Sequence, residues 1–314
     1  MQLQKRWGAF DAETRGLALG LVGVLSFSLT LPATRVAVAG LDATFVGLGR
    51  ALVAAVGAAI FLAVTRARVP GREHWRGLVI VASGVVLGFP LLSAWATRQL
   101  PAAHGAVILG LMPLATALAG AARAGERPSR GFWLAGAAGS VAVVGFALAQ
   151  GAGTLQPADL VLGAAVVAAA LGYAEGGRLA RVLGGPQVIC WALVLAAPFL
   201  AVPVAGVVVT HGLDAPPVSW LGFAYVSLIS QLLGFFAWYR GMALAGVARV
   251  GQLQLLQPFL TIFAAALLLG EQLTPLTLGA AVVVVATVAL GRRAGVARPG
   301  LAAPSREAGV AAKH

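Results

Sequence analysis

The sequence predicts an all-α integral membrane protein, ten transmembrane helices arranged as two inverted five-helix repeats, and three observations support that prediction. The first is composition. With 60% hydrophobic residues, 10% charged residues and a mean hydropathy of +0.91, the chain lies outside the soluble range of roughly 45–50% apolar and about 25% charged. The second is an internal repeat. Pro113, Thr116 and Gly125-Glu126 recur as Pro258, Thr261 and Gly270-Glu271, displaced by 145 positions, while Gly20, Arg35 and Ala94-Trp95 recur as Gly163, Arg178 and Ala237-Trp238, displaced by 143. A period of half the chain within apolar sequence marks a duplicated membrane unit and not a solenoid. The third is the placement of the basic residues, which alternates from one connection to the next.

The apolar segments run over Leu17–Ala33, Phe45–Val64, Leu78–Ala96, Ala102–Ala122 and Phe132–Ala149, then over Leu160–Leu179, Val188–Val209, Trp220–Tyr239, Val250–Leu269 and Leu276–Leu290. Each reads as a helix, because an isolated apolar run satisfies its backbone in lipid only within itself, and the polar–apolar alternation of a barrel is absent. The organisation that follows is an N-terminal segment at 1–16, a first repeat at 17–149, a linker at 150–159, a second repeat at 160–291 and a disordered tail at 292–314. Ala37-Val38-Ala39 after the first segment resembles a leader-peptidase site. Removing Leu17–Arg35 would leave the first repeat without the counterpart of Leu160–Arg178, so no cleaved leader is expected.

With the N-terminus inside, 19 of the 22 Lys and Arg residues fall on the inner face, leaving only Arg35 and Arg98 at outer ends and Arg50 within a segment. That alternation orients the protein, since basic residues near span ends are retained in the cytoplasm. Five spans per repeat is an odd number, so the second copy enters from the opposite side. Inverted copies place a polar pocket at their shared midplane.

Charge also excludes partners. The formal net charge is +12, but the cations are scattered between apolar runs, without the basic stripe of a nucleic-acid surface. Lone Cys190 excludes an intrachain disulfide. No Gly-x-Ser-Gly, His-Glu-x-x-His, Gly-x-Gly-Asp or Walker pattern occurs, so neither an enzyme nor an ATP-driven machine is expected, and no cofactor or metal is called for. The lipid bilayer and a small-molecule substrate are the expected partners of a monomer or homodimer.

The candidate residues follow from polarity at depth. Pro113 and Pro258 fall at matching points of the fourth and ninth segments. Each removes a backbone donor there, making a hinge or a plain kink and freeing the carbonyls of Leu109 and Gln254. Gln254, Gln257 and Thr261 share one face with Pro258, which points them at a cavity or at a neighbouring helix. Gln252 points elsewhere. Trp95, Trp238 and Tyr239 end their segments, as a gate or as an interfacial belt. Arg50 lies roughly 8 Å below the outer edge, suited to hold a substrate carboxylate or to clamp helix-end carbonyls. Glu175 and Arg178 are an i, i+3 pair near the inner edge, a snorkelling ion pair or a proton-coupling carboxylate. His104 and Arg249 open the fourth and ninth segments as candidate gates. Glu126 and Glu271 each follow a helix-ending Gly and are expected to favour the N-terminus of the next helix.

The Pro-x-x-Thr-x8-Gly-Glu pattern in each half, the Ala-Trp upstream of each and Arg50 opening the second segment resemble the drug/metabolite transporter superfamily, EamA family. The likeness covers about Leu17 to Leu290. It implies a permease of the bacterial inner membrane with both termini cytoplasmic, an exporter of amino acids or other small amphipathic metabolites by alternating access. A flippase for lipid or lipid-linked cargo is the alternative, followed by an intramembrane enzyme. Arg50 has no basic counterpart in the second half, where Leu193 falls, so the two units are not equivalent.

Overall fold

The computed structural model describes residues 2–97, 108–149, 156–269 and 274–297. Helix dominates it. In chain order, α1 comprises Gln2–Ser28 and Thr30–Val38; α2 joins a π-helical turn, Phe45–Gly49, to Arg50–Val64; α3 runs through Arg72–Val81, a π segment at Ala82–Gly88 and Phe89–Thr97. Then come α4 (Met112–Ala124), α5 (Arg130–Ala149), α6 (Pro157–Ala180) and α7 (Gly185–His211). α8 joins Pro217–Ala224, a π segment at Tyr225–Leu233 and Gly234–Ala245. α9 joins Val247–Gln252, a 3₁₀ turn at Leu253–Leu256 and Gln257–Leu269, and α10 spans Pro275–Arg293. Among the described residues, six helical stretches are long and apolar enough to cross a membrane, with Arg130–Phe146 and Pro275–Gly291 shorter.

Local chemistry sets the boundaries. Proline within the first turn opens α6, α7, α8 and α10, where its missing N–H would be unpaired in any case. Positive-φ glycines close others: Gly125 (φ 67°) ends α4 and Gly246 (φ 98°) separates α8 from α9. α2 opens on Asp42, whose Oδ1 accepts from the backbone N–H groups of Thr44 (2.8 Å) and Phe45 (2.9 Å).

Helix pairing follows the repeat. α1 packs on α8 as α6 packs on α3; α4 packs on α6 as α9 packs on α1; and α2–α7, α4–α9 and α5–α10 pair within themselves. Exchanging the first five helices for the last five maps these pairs onto one another, as a pseudo-two-fold axis requires, while α6 also packs on α8 more extensively than α1 does on α3 among the described residues. One pair of local irregularities obeys the same exchange: the π segments of α3 and α8 begin 143 positions apart, at Ala82 and Tyr225, whereas the π turn of α2 has no counterpart in α7.

Lipid gives helices no hydrophobic reason to associate, so close approach through small residues takes that role. On the α1–α8 seam, a Cβ added to Gly241 would lie 2.7 Å from the carbonyl oxygen of Gly16. On the equivalent α3–α6 seam, Gly84 packs against the Ala168 carbonyl. Beside the α1–α8 seam lies an aromatic cluster, in which Trp238 meets Phe27 and Tyr173 at 5.8 and 5.6 Å between ring centroids.

Several extents differ from the sequence expectation: α1 begins at Gln2 and not at Leu17, and Val296–Ala297, within the stretch expected to be a disordered tail, pairs as a strand with Arg127–Pro128. α8 continues to Ala245, so Trp238 and Tyr239 do not end it; glycine and small residues after Tyr239 keep the helix packed on α1 and continue it beyond the apolar run. Pro113 and Pro258 lie in first turns of α-helical stretches and not in mid-helix, each after a tightened turn: Leu111 N–H donates to Ile108 C=O (3.1 Å), and Gln257 N–H donates to Gln254 C=O. The chain thus tightens before the ring, and the Gln254 carbonyl has a backbone partner.

Gly241→Val is expected to destabilise the purified protein by about 1–3 kcal/mol through overpacking, read as thermal unfolding in detergent. Gly279→Ala, where an added Cβ meets nothing within 4 Å, is the unhindered control and should leave the transition where it is or raise it slightly. A second outcome concerns acid. The Phe45 N–H holds the Asp42 carboxyl below its ordinary value, so its contribution is complete above the unfolded pKa, about 3.9, and lost as pH falls through the folded one. Asp42→Asn should keep the cap at pH 7 and remove that acid-dependent part of the unfolding curve.

Candidate functional site

Polar side chains inside the helices form two layers. The deeper layer begins on α9, where Gln254 is buried and its Oε1 accepts from Thr116 Oγ1 of α4 at 3.2 Å. Thr261 Oγ1 donates to the Ser28 carbonyl of α1 at 2.9 Å, and Ser28 Oγ donates to the Val24 carbonyl at 2.7 Å and, at 3.5 Å, to the Gln257 carbonyl. On this face, Gln254 and Thr261 thus bond to neighbouring helices through their side chains, and Gln257 through its backbone carbonyl. Gln252 points elsewhere, donating to the Phe132 carbonyl of α5 at 3.3 Å. On the α1–α8 seam, Thr30 and Ser230 share a hydrogen bond of 2.7 Å, and Tyr225 OH donates to the Ser26 carbonyl at 3.2 Å.

The second layer is ionic and lies at the arginine-rich end of the bundle. Glu126, with 2% of its surface exposed, accepts from the backbone N–H groups of Val247 and Ala248, each at 2.8 Å, and from Arg181 Nη2 at 3.2 Å. Its carboxylate thus caps α9, a helix of the other repeat, and not the helix that follows it in sequence. This corrects the sequence expectation, and the cause is geometric: Gly125 turns the chain in the left-handed region at the point where the first turn of α9 presents its unpaired donors. Next to Glu126, Arg127–Pro128 pairs antiparallel with Val296–Ala297, tying the α4–α5 turn to the chain beyond α10.

Glu175 belongs to this layer. Its carboxylate is buried, receives Arg178 Nη2 at 2.6 Å and, from α4, receives Arg123 Nη2 at 3.2 Å. The Arg178 pair is the one expected; Arg123, contributed by the other repeat, is the addition. Arg249 pairs with Glu13 and donates to the Ala294 carbonyl at 3.4 Å.

The remaining predicted residues separate. Trp238 and Tyr239 are fully buried, with Tyr239 OH donating to the Gly172 carbonyl of α6 at 3.2 Å. They pack the core between α1, α6 and α8 and reach neither an interface nor an open cavity. Trp95 is 48% exposed near the end of α3. Arg50 follows the π turn of α2, with its Nε enclosed and without a partner. His104 and Glu271 lie outside the described residues. Sequence reasoning missed Gln231, buried within the π segment of α8 with an unpartnered Nε2; its signal was a single amide amid an apolar run.

Two grooves open on the surface. An apolar one of about 340 Å³ lies between α1 and α8, lined by Leu29, Pro32, Val36, Val218, Leu221 and Tyr225 among others. A polar one of about 420 Å³ opens at the arginine-rich end, between residues 65–71 and 182–187 with His74. Neither is lined by a predicted site residue.

A duplicated, helical membrane protein whose halves meet through buried polar contacts belongs to the class of repeat-built transporters. The chain is a member of the EamA-like transporter family, whose profile matches residues 14–148 and 156–291. It is 46% identical over 284 residues to "Uncharacterized transporter YdeK" of Bacillus subtilis (strain 168), covering 90% of this chain and 99% of that one. It is 28% identical over 287 residues to "Probable terminal-alkyne amino-acid exporter" of Streptantibioticus cattleyicolor, covering 88% and 95%. A protein crystal structure shares the fold with a TM-score of 0.74 at 20% identity, over 90% of this chain and 99% of that one.

Glu126→Ala strands two buried N–H groups and a guanidinium, so it is expected to destabilise the protein by about 1–3 kcal/mol, measured by thermal unfolding. Glu126→Gln keeps one acceptor oxygen and should recover part of the loss.

Proposed function

We propose that this chain is a secondary transporter of the bacterial inner membrane with ten spans in two inverted five-helix units and both termini in the cytoplasm. It exports a small amphipathic solute of the amino-acid kind by alternating access. The observation that carries the reading is the exchange symmetry of the helix contacts. A scaffold that maps onto itself when its repeats are swapped, and whose repeats enter from opposite sides, has two equivalent states that open to opposite faces.

The rest of the site fits that scheme. The arginine-rich end faces the cytoplasm under the positive-inside rule, so the carboxylates Glu126 and Glu175 close the inner side by binding across the repeats. Glu175, held between two guanidiniums, serves in this reading as a clamp and not as a proton carrier. Pro113 and Pro258 flank the crossing of α4 and α9 as hinges, and Gln254 with Thr116 holds that crossing together. The relative named as a terminal-alkyne amino-acid exporter supports a substrate that couples a polar amino-acid end to an apolar tail.

A second reading, lipid flipping, is favoured by the apolar groove between α1 and α8, which is large enough for part of an acyl chain.

Counterflow of radiolabelled amino acids into proteoliposomes tests both. Saturable exchange, with no acceleration of dye-labelled lipid between leaflets, is the expected result, and Glu175→Gln should leave its pH dependence unchanged. Lipid crossing without any solute exchange would replace the first reading with the second.

A further inference from the structure

Buried polar groups without partners show what a ligand must bring, because an enclosed donor or acceptor left unpaired is costly. Among the described residues, such atoms on α2, α7 and α8 are Arg50 Nε, Trp191 Nε1 and Gln231 Nε2, together with Trp238 Nε1, whose ring packs away from α2 and α7, on Phe27 of α1 and Tyr173 of α6. All four are donors. These helices pack on one another, and the stretches Phe45–Val64, Gly185–His211 and Pro217–Ala245 contain no Asp or Glu.

Depth and local geometry single out Arg50 and Gln231. Arg50 lies roughly 8 Å along α2 from Phe45, immediately after a π-helical turn. Gln231 is equidistant from the two ends of α8, so it lies at mid-span, within a second π segment and with 4% of its surface exposed. π-helical turns disrupt the regular backbone ladder and recur at functional sites. Gly57, two turns after Arg50, packs against Leu228 and Leu232 beside Gln231, which places α2 directly on α8. The repeat does not duplicate the arrangement: Leu193, at the position matching Arg50, is fully buried in the apolar core.

We propose that the substrate is recognised as an organic anion, through its carboxylate, by Arg50 and Gln231, and that an ammonium group contributes nothing to recognition. This rests on the transport reading above and narrows its substrate class. A permanently charged guanidinium within the membrane calls for a compensating negative charge, and the unpartnered N–H groups of Arg50 and Gln231 suit the acceptor oxygens of a carboxylate. On α2, α7 and α8 a substrate ammonium meets no carboxylate.

The test compares phenylalanine, N-acetylphenylalanine and phenylalaninamide on the purified full-length protein, by counterflow in liposomes and by thermal shift in detergent. The two carboxylates are expected to exchange and to raise the unfolding temperature, while the amide does neither. Arg50→Gln and Gln231→Leu should each weaken carboxylate binding roughly 10- to 100-fold, the range for losing a bond to a charged group. Arg50→Lys, which keeps the charge without the planar fork, should fall between. If Arg50→Gln fails to fold, Gln231→Leu and the wild-type ligand series decide alone. An amide that matches the acids, a panel in which no carboxylate shifts or exchanges, or a Gln231→Leu protein with unchanged affinity overturns the proposal. Exchange of the amide with the acids leaves transport standing and removes only anion recognition. Carboxylates that stabilise the protein through Arg50 without being exchanged leave the anion site standing and remove transport.

Discussion

Among the described residues, the carboxylate of Glu126 is the most enclosed ionic tie between the two halves of this molecule. Glu126 leaves the first repeat at a left-handed glycine and places both of its oxygens on the opening N–H groups of α9, in the second repeat. Each bond is charge-assisted and shielded from water, and the partial positive charge of the helix start adds to both. Arg181 of α6 completes the carboxylate's surroundings. Because α9 is the central helix of its repeat in polar contacts, reaching α4 through Gln254 and α1 through Thr261, fixing its start fixes the layer above it.

That dependence follows from the solvent. In water, two five-helix units would be driven together by apolar burial, whereas in lipid the helices gain no such advantage and must be matched by shape and by polar groups. The chain uses both devices. Gly241 on Gly16 and Gly84 on Ala168 let backbones approach, while Thr30–Ser230 and Tyr239–Gly172 add hydrogen bonds beside those approaches. Contacts of this kind are individually weak, on the order of 1 kcal/mol, so an ionic layer at one end closes the assembly more firmly than the rest of the seam.

Much of this was legible in the chain. The displacements of 143 and 145 residues anticipated the equivalence of α3 with α8 and of α4 with α9, and the structure repeats it down to the π segments and the tightened turns before Pro113 and Pro258. The Glu175–Arg178 pair was legible because i, i+3 spacing is local. Contacts between distant segments were not. Nothing in the residues around Glu126 names Val247, 121 positions away, and Arg123 reaches Glu175 only because α4 lies on α6. Trp238 and Tyr239 were misplaced for a different reason: hydropathy faded after Tyr239, yet Gly241 and Ala245 continue the helix by packing on α1. Gln231 escaped because one amide barely lowers the average of an apolar window, although its burial decides its chemistry.

Symmetry and asymmetry divide the work of the molecule. Under the proposed alternating access, a scaffold whose main helix pairs survive exchange of its halves would supply two states of comparable energy, but a perfectly symmetric pair would bind a substrate equally in both orientations. Here the charged groups break the symmetry. Arg50 corresponds to Leu193 and Glu175 to Pro32 at a displacement of 143, so each half brings different chemistry to a shared backbone. A ligand can shift an equilibrium only by the difference between its interactions in the two states. In the transport reading proposed above, an anchor on one repeat and an ionic clamp at one end would give substrate and gate separate control over that balance, with the duplicated backbone keeping both states within reach.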